Sequence, residues 1–586
     1  MSAPHKSLLS PPANSAIDEP VDQFLRQLIV ELSNKEAEQK DKTPARVVQD
    51  YTPLVSSLES ELAEAYWSTV GVQAFAGNEV PFVINNDGRL SHAAAAVFYA
   101  NCLETGAPEA QIRILEMGAG TGLFARYFLD ELQKMCEAGG HDFYDRLMYY
   151  VSDGSPRTVQ QWRESEQFAA HRAHVTIGRC DALNPSQLHI SDDQTVPLNG
   201  LRAVFANYIL DVLPAAVVRC QNGQPQQLCV RTMLENEADA SRLDSQFDGD
   251  MVCTLGGSSS REDRVKLLPI LEALRFDIEF VAIAAERPPY LDEVLEFGKG
   301  MDRVLLNFGA VTCLRGCLEM VRVDGFIQIN DYGPSKEEDV AKFGTATRFG
   351  SSIAMGVNFP FLEHYFAGSA QVLTPPDDEK RSVHARTLLK ANLEQTRASF
   401  MTSFGDARWN WESEKSPISQ ARKLAMTGKP SEALERFRQA LQADPGNWYV
   451  MGETAEFLLR AGDLVHGTEL ARMALDRNPW YSAWLWNTFG DGLYAMERYG
   501  DAQNAYEAAA RVNPADVAAN FNLSFVHARS GRQRDALEAL AKALIHDFSG
   551  EYRERIIEQQ QAIMRSLSVR WQMQQIRHYQ RAAAFE

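Results

Sequence analysis

Hydrophobic positions between residue 111 and about residue 400 alternate between two spacings. Short apolar runs typical of buried strands are separated by stretches with the 3.6-residue period of amphipathic helices. The runs predicted as strands either end at Glu116 or cover Arg146–Ser152, His174–Gly178, Leu201–Ala206 and Gly325–Asn330. The predicted helices between them include Leu123–Met135 and Pro156–Glu166. This βαβα order predicts an α/β Rossmann-like domain with a doubly wound parallel sheet.

Near Trp409 the pattern changes to pairs of helices that repeat. Turn prolines at positions 445, 479 and 514 are 34 and then 35 residues apart, which is the tetratricopeptide period. Small residues keep the same register in both helices of each pair: Ala421, Ala455, Gly490 and Ser524 in one, and Ala440, Ala474, Ala509 and Ala543 in the other. We therefore predict an all-α domain of three to four tetratricopeptide repeats (TPRs).

These patterns divide the chain of 586 residues into five predicted segments, since such a length exceeds what one hydrophobic core usually organises. A flexible leader with one apolar helical stretch, Val21–Leu32, comes first. The predicted segments are the leader at 1–45, a helical cover at 46–110, the α/β domain at 111–400, the TPRs at 405–548 and a polar capping helix at 549–586.

Charge and composition restrict the classes of function. The net charge of −20 and the pI of about 5.2 disfavour DNA or RNA as a partner, because the surface would repel phosphates. The eight cysteines are scattered without a C-x-x-C pair or a nearby histidine set, so we expect neither a metal site nor a disulfide framework. Without a signal-peptide core or a long apolar stretch, we expect a soluble cytoplasmic protein, with no membrane contact and possible oligomers.

A glycine-rich turn after the first predicted strand points to a nucleotide-like ligand. Gly118, Gly120 and Gly122 follow the strand that ends at Glu116, and a helix begins directly afterwards. Glycines let the backbone approach a ligand closely, and the first amides of a helix are free to bind it. Dinucleotide folds use G-x-G-x-x-G with an acid about twenty residues on, whereas here the spacing is G-x-G-x-G and 37 residues separate Glu116 from Asp153. A nicotinamide oxidoreductase is therefore disfavoured.

Polar residues follow the other predicted strands at the same edge of the sheet. Asp153, Asp181 and Asn207 come after the second, third and fourth strands, and open α/β sheets bind ligands at this edge. Together with Glu116 they form the candidate cofactor site, where carboxylates would hold ribose hydroxyls or a cation. The alternative is that each residue caps a helix or a turn, a common use of Asp and Asn.

Several motifs occur in one order: Ile114–Gly122, Ser155-Pro156 with Gln160 and Gln161, Asn207–Pro214, and Asp331-Tyr-Gly333. The glycine turn resembles the first motif of class I S-adenosylmethionine (SAM) methyltransferases, and the ordered set resembles MidA-type methyltransferases. That family uses SAM on a Rossmann-like core and includes a mitochondrial complex I assembly factor that methylates a protein arginine. The similarity covers roughly residues 74–374, including a hairpin after the fourth strand. It implies SAM as the cofactor and a methyl acceptor as the partner.

One departure concerns the predicted catalytic residues. The family usually reads Asn-Glu-x-x-Asp in its fourth motif, and here Tyr208 stands where that glutamate would be, while Asp211 remains. A guanidinium is protonated below pH ~12 and needs a carboxylate to hold it. The resemblance implies Asp211 as a catalytic residue of an arginine-type N-methyltransferase. We expect Asp331 or Glu286 to replace the missing charge, and Tyr208 either to contact the acceptor through its ring or hydroxyl or to be a packed aromatic at the strand end. His364 is a possible base, but a single histidine in an aromatic stretch is more often structural.

Other interpretations remain open. Oxygen acceptors are one, and a degenerate scaffold that binds SAM and assembles partners through its TPRs is another, favoured by Tyr208. The TPRs would recruit the acceptor or a protein partner, or else cover the α/β domain or mediate self-association. If they only recruit the acceptor, deletion after about residue 405 should leave SAM binding intact. Aromatic residues of this region, such as Trp448 and Tyr481, form the helix core or contact the α/β domain.

Overall fold

The computed structural model describes residues 45–77, 79–236, 240–241, 244–283, 286–342, 347–349, 351–405 and 416–583. The predicted leader with its Val21–Leu32 helix therefore lies outside the described residues, apart from residue 45. The strands are β1 Arg46–Pro53, β2 Ile112–Met117, β3 Leu147–Asp153, β4 Val175–Arg179, β5 Gln187–Ser191, β6 Gln194–Pro197, β7 Leu201–Asn207, β8 Ala216–Gln221, β9 Gln224–Leu234, β10 Leu274–Ala282, β11 Val304–Leu306, β12 Val321–Asp331, β13 Thr347–Phe349, β14 Ser352–Ala354, β15 Gln371–Leu373 and β16 His384–Leu389.

The α-helices belong to the α/β region and to the repeats. Those before residue 406 are α1 Leu58–Val70, α2 Gln73–Ala76, α3 Val83–Asn86, α4 Arg89–Thr105, α5 Leu123–Gly139, α6 Pro156–Glu164, α7 Gly249–Gly256, α8 Arg261–Arg264, α9 Leu291–Phe297, α10 Phe308–Met320, α11 Glu337–Val340, α12 Phe359–Phe366 and α13 Glu394–Gly405. Those after residue 415 are α14 Pro417–Met426, α15 Pro430–Ala443, α16 Trp448–Arg460, α17 Leu464–Arg477, α18 Ala483–Ala495, α19 Tyr499–Val512, α20 Val517–Arg529, α21 Gln533–His546 and α22 Arg553–Ala583.

A nine-stranded sheet organises the larger of two compact units, which comprises residues 63–227 and 282–586. Its order is β15-β16-β12-β7-β2-β3-β4-β5-β6. The five strands from β12 to β4 are parallel, and the pairs at both edges are antiparallel. The sheet is therefore mixed, and the expectation of a purely parallel sheet was wrong at its edges, where short hairpin returns need no crossover helix. The Rossmann-like fold class itself is confirmed.

Alternating side chains of the central strands enter two hydrophobic clusters on opposite faces of the sheet. On β2, Ile112 and Ile114 pack with residues of α4 and α5, whereas Leu115 and Met117 pack with residues of α10 and α12. Burial on both faces explains why β2 and β7 read as nearly continuous apolar runs. Because the parallel strands all end at one edge, the residues that follow Glu116, Asp153 and Asn207 meet there.

The smaller unit comprises residues up to 62 together with 228–281. Its strand β1 pairs antiparallel with β9, so the segment predicted as a helical cover from residue 46 begins with a strand. The exposed and buried positions of β1 alternate with its pleat, which helix periodicity does not describe. Val48, Leu58, Leu234 and Leu267 belong to its core. The hairpin predicted after the fourth strand is confirmed in the larger unit, where β8 pairs antiparallel with the first residues of β9.

Four helix pairs, α14–α15 to α20–α21, form the repeats, and the long helix α22 follows them. The first helix of each pair begins after a residue whose side chain accepts a backbone N–H of the first turn: Ser416, Asn447, Ser482 and Asp516. The small residues lie where the helices cross, and a Cβ on Gly490 would lie 2.5 Å from the Tyr506 ring. The TPR prediction is confirmed, with four helix pairs among the described residues.

None of the helices within the described ranges combines the length and the apolarity that a bilayer-spanning segment needs. The same ranges contain no cluster of three or more His, Cys, Asp or Glu side chains arranged to hold a metal ion.

Candidate cofactor site

The glycine turn between β2 and α5 has a left-handed backbone at all three glycines. The φ angles are +60° at Gly118, +54° at Gly120 and +72° at Gly122, a region that side chains with a Cβ rarely adopt. Neighbouring side chains also lie close to the turn. A Cβ on Gly118 would lie 2.6 Å from Ile209, and one on Gly120 would lie 3.1 Å from the Phe75 ring. The turn therefore requires glycine for both its conformation and its packing.

Glu116 ends β2 beneath this turn and is 1% exposed. The Tyr149 hydroxyl donates a hydrogen bond to Oε2 of Glu116 at 3.0 Å. Burial raises the pKa of Glu116 to about 8, although Tyr149 and the amide of Asn207 counteract part of the shift. A buried carboxyl group with such a pKa changes charge near neutral pH, so this position responds strongly to a bound cation.

Asp153 ends β3, the neighbouring parallel strand. Its carboxylate accepts hydrogen bonds from the backbone N–H of Ser155 at 2.9 Å and of Gly120 at 3.2 Å. Burial raises its pKa to about 6, and these amide donors limit the rise. Asp153 therefore ties the glycine turn to the start of α6, which is the turn-capping role, and its ligand role stays a prediction.

Asn207 and Tyr208 follow at the end of β7. The side-chain oxygen of Asn207 accepts a hydrogen bond from Asn330 Nδ2 at 2.7 Å, which joins the ends of β7 and β12. Tyr208 has a φ of +51°, rare for a residue with a Cβ, and its ring lies 6.4 Å from that of Tyr332. A strained backbone of this kind is retained where the surrounding structure holds it, often at functional sites.

Asp211 and Asp331 lie together in the interior. Asp331 is fully buried, and its Oδ2 accepts the backbone N–H of Leu210 at 3.0 Å and of Asp211 at 3.3 Å. Burial raises the pKa of Asp211 to about 7, while burial and the charge of Asp211 raise that of Asp331 well above its ordinary value. Because two buried carboxylates repel each other, the pair retains a proton at neutral pH. The pKa of Asp331 is raised further than that of Asp211, so Asp331 holds this proton while Asp211 changes charge near neutral pH.

Three other candidates lie outside this buried group. Asp181 is exposed, and its carboxylate accepts the backbone N–H of Leu183 at 2.9 Å, as expected of a turn residue. Glu286 is also exposed, so it is not a buried partner for Asp211. His364 is exposed on α12, where its ring lies 5.6 Å from that of Phe297.

A known family model matches this region. Residues 93–353 match the family model described as "Putative S-adenosyl-L-methionine-dependent methyltransferase". Residues 419–482 and 487–551 match the tetratricopeptide repeat. The predicted resemblance, the repeats and SAM as the cofactor of the family are thereby confirmed. No curated protein matches the chain at a significant level.

Solved structures resemble the chain distantly. A Burkholderia thailandensis protein bound to S-adenosyl-homocysteine is 16% identical, and the match covers 63% of this chain and 82% of that one at a TM-score of 0.36. A second structure from Burkholderia thailandensis is 15% identical over 67% and 98% of the two chains, at 0.38. A thermophilic TPR protein from Thermus thermophilus is 20% identical over 26% and 88%, at 0.22.

The donor groups of the region that matches the family model fit SAM chemically. Glu116, which is buried, and Asp153, which is half-buried, present carboxyl groups at neighbouring strand ends, where they would accept ribose hydroxyls or balance a sulfonium. The left-handed glycines Gly118 and Gly120 leave no Cβ between the turn and a ligand. Phe75 and Ile209, which pack on these glycines, would line the bound cofactor.

Sequence reasoning missed several residues of this site. Tyr149 lies on β3, and its hydroxyl donates a hydrogen bond to Glu116. The local sequence pattern does not distinguish it from a tyrosine of the hydrophobic core. Thr121 lies inside the glycine motif, where its carbonyl accepts a hydrogen bond from Gln167 Nε2 at 2.9 Å. Tyr332 could have been found, because it follows Asp331 directly in the Asp-Tyr-Gly motif.

Proposed function

We propose that the chain is an active SAM-dependent methyltransferase that methylates a nitrogen of a guanidino-type acceptor, in a protein, a peptide or a small molecule. The observation that supports this proposal is the buried pair of Asp211 and Asp331 beside the end of β7. The family match of residues 93–353 supports the methyltransferase part. The acceptor class follows from the chemistry of the pair.

A carboxyl pair that holds one proton suits a cationic acceptor. Oδ1 of Asp211 is buried, and the nearby Tyr332 hydroxyl favours the charged form of the Asp211 carboxyl group. A guanidinium that donates to this oxygen would favour the charged form of Asp211, because the opposite charge stabilises the carboxylate. The pair would then hold the acceptor by charge-assisted hydrogen bonds, which are about twice as strong as neutral ones.

The same pair would manage the proton of the reaction. SAM, when bound, supplies a methyl group activated by its sulfonium sulfur. Methylation of a guanidinium nitrogen releases one proton, and Asp211 in its charged form would accept it as a general base. Its pKa of about 7 matches this task, because a general base works best when its pKa lies near the working pH. Tyr208 would line the acceptor's path beside Tyr332.

The test is methyl transfer from labelled SAM to guanidino compounds, arginine peptides and cell-extract proteins, followed by mass spectrometry. The proposal expects S-adenosylhomocysteine production and a gain of about 14 Da on a guanidino nitrogen. Label found only on oxygen would reject the acceptor class and keep the methyltransferase. Asp211→Asn should abolish transfer while SAM still binds, because the asparagine cannot accept the proton.

A second candidate is a SAM-binding scaffold whose TPRs assemble partners. Two observations favour it. Both oxygens of Asp331 accept backbone N–H groups, with Oδ1 accepting the N–H of Tyr332 at 2.9 Å. In addition, Tyr208 replaces a carboxylate. Asp211 is then the one carboxyl group of the pair that could act on an acceptor. Binding of SAM without turnover on any substrate pool would favour this candidate over the first.

We further propose that the TPRs bind a protein, either the acceptor or a partner that presents it. The match of residues 419–482 and 487–551 to the tetratricopeptide repeat supports this role, since stacked helix pairs form extended binding surfaces. Cross-linking of the full chain in extracts, compared with the chain lacking residues after 405, would identify such a protein.

A further inference from the structure

A chain of buried hydrogen bonds connects the TPRs to the glycine turn. The Tyr481 hydroxyl, in the loop before α18, donates to Oε1 of Gln167 at 2.7 Å. Nε2 of the same Gln167 donates to the carbonyl oxygen of Thr121 at 2.9 Å. Gln167 is fully buried and Tyr481 is 4% exposed, so water does not compete for these bonds. The hydroxyl of Tyr481 thereby orients the side-chain amide of Gln167, which holds the Thr121 carbonyl of the glycine turn.

A second chain reaches the same threonine from the preceding repeat. Nε1 of Trp448, the first residue of α16, donates to the carbonyl oxygen of Asn86 at 2.7 Å. The side-chain oxygen of Asn86 in turn accepts a hydrogen bond from Oγ1 of Thr121 at 2.7 Å. Trp448 and Thr121 are each 1% exposed. The carbonyl of Thr121 is therefore hydrogen-bonded to Gln167 and its hydroxyl to Asn86, and the repeats contact both of these residues.

Thr121 controls the geometry of the turn. Its carbonyl belongs to the peptide that ends at the nitrogen of Gly122, and that nitrogen donates to the Ala119 carbonyl at 2.7 Å. Because a peptide unit is planar, fixing the Thr121 carbonyl also fixes the Gly122 N–H. The left-handed conformation of Gly120 and Gly122 thus depends on contacts made outside the turn.

The repeats also hold the helix that leaves the turn. The Tyr127 hydroxyl of α5 donates to the Arg477 carbonyl at 3.0 Å, and the Arg477 guanidinium lies 3.1 Å from Asp130 of the same helix. Nε1 of Trp480 donates to the Ser165 carbonyl at 3.1 Å, two residues before Gln167. The contact is therefore polar and specific, whereas a merely covering surface would need only apolar packing.

We propose that Tyr481 and Trp448 are positioning residues for the cofactor: through Gln167, Asn86 and Thr121 the TPRs hold the glycine turn in the conformation that binds SAM. This inference rests on the proposed function in taking SAM as the ligand. It extends the role of the repeats from recruiting an acceptor to completing the cofactor site. It also replaces the prediction that deletion after residue 405 leaves SAM binding intact, since such a deletion removes both Tyr481 and Trp448.

The test compares Tyr481→Phe with Tyr506→Phe in the full chain. Each variant loses one buried tyrosine hydroxyl of the repeats, and the Tyr506 hydroxyl donates to Asp491 at 2.8 Å, away from the turn. We expect Tyr481→Phe to weaken SAM binding about three- to tenfold by calorimetry, in line with one lost hydrogen bond. In the SAM-free protein, we expect faster amide hydrogen exchange at residues 118–124. Tyr506→Phe should change neither measurement, although its melting temperature should fall by a similar amount.

Equal SAM affinity and equal exchange in the two variants would overturn the inference, while failure of the wild-type chain to bind SAM would instead reject the proposed function. Gln167→Met gives a second measurement, because its thioether stays uncharged in the buried site and cannot donate to the Thr121 carbonyl. The inference expects Gln167→Met to weaken binding at least as much as Tyr481→Phe. The two effects should not add in the double variant, since both break one chain; additive effects would contradict it.

Discussion

The Tyr149 hydroxyl and the Glu116 carboxylate form a hydrogen bond 3.0 Å long inside the sheet, directly beneath the glycine turn. Tyr149 lowers the pKa of Glu116, which burial raises to about 8. A charged Glu116 favours a cationic ligand, so SAM affinity should rise as the pH increases through 8. Tyr149→Phe should shift the midpoint of this rise upward by roughly one pH unit, as loss of one hydrogen bond implies.

Calorimetric titrations of SAM between pH 6 and pH 9 measure this midpoint. Tyr144→Phe is the control, because the Tyr144 hydroxyl is also buried but contacts His171 Nδ1 at 2.6 Å. An affinity that does not depend on pH, or an equal shift in both variants, would contradict a role for Glu116 charge.

A single methyl group added to the glycine turn should strongly weaken SAM binding. Gly120→Ala places a Cβ at a φ of +54° and 3.1 Å from the Phe75 ring, and we expect SAM affinity to fall at least tenfold. Gly140→Ala is the control, because its φ is +69° but no heavy atom lies within 4 Å of the added Cβ. Both variants carry backbone strain, so a similar loss of SAM affinity in both would show that close packing at the turn is not what binding requires.

Acceptor use should depend on the charge of Asp211. Below pH 7 its carboxyl group is protonated and cannot hold a guanidinium, so kcat/KM for the acceptor should rise about tenfold per pH unit below pH 7 and level off above it. Asp211→Asn should remove this dependence together with most of the activity, and SAM affinity should stay within about twofold. Initial rates across pH 5.5–8.5 test this, and an unchanged profile in the variant would exclude Asp211 as the base.

The free energy of unfolding should also depend on the charge of Asp211. Its folded-state pKa of about 7 lies above the unfolded value, so its contribution is fully present below pH 4 and is lost as the pH rises through 7. Asp211→Asn cannot become charged, and at pH 8 we expect it to be more stable than wild type, on the order of 2 kcal/mol. Denaturant unfolding at pH 5 and pH 8 measures the difference. A larger gain at pH 5 than at pH 8 would mean that the sign of the shift is wrong.

A buried ion pair beneath the sheet should be important for folding. Arg202 is fully buried, with its guanidinium on Glu109 and with NH1 donating to Thr105 at 2.7 Å. Arg202→Met removes the buried partner of Glu109, which keeps only the longer contact with Arg322 at 3.8 Å, and we expect the free energy of unfolding to fall by about 3–5 kcal/mol. Arg534→Met, which breaks an exposed pair with Glu538, should cost less than about 0.5 kcal/mol. Equal losses in denaturant unfolding would contradict the structural assignment.

Local chemistry explains why much of the fold could be predicted. The strand that ends at Glu116, the glycine turn and α5 form a contiguous unit whose periodicity and turn residues are visible in the sequence. The repeats could be predicted for the same reason, since their caps at Asn447 and Asp516 act within one helical turn. Strand β1 was not predicted, because its pairing with β9 joins segments far apart along the chain.

The candidate site could likewise be predicted only in part. The sequence by itself determined which residues follow the parallel strands, because strand ends and glycine spacing are local properties. Only the tertiary structure decided that the backbone N–H of Asp211 donates to the Asp331 carboxylate, 120 positions away, and that Asp181 and Glu286 remain in solvent. It also decided that Tyr481 reaches Gln167 across 314 positions. Burial and hydrogen-bond partners depend on packing between distant segments, and side-chain pKa values depend on both, so no local pattern encodes them.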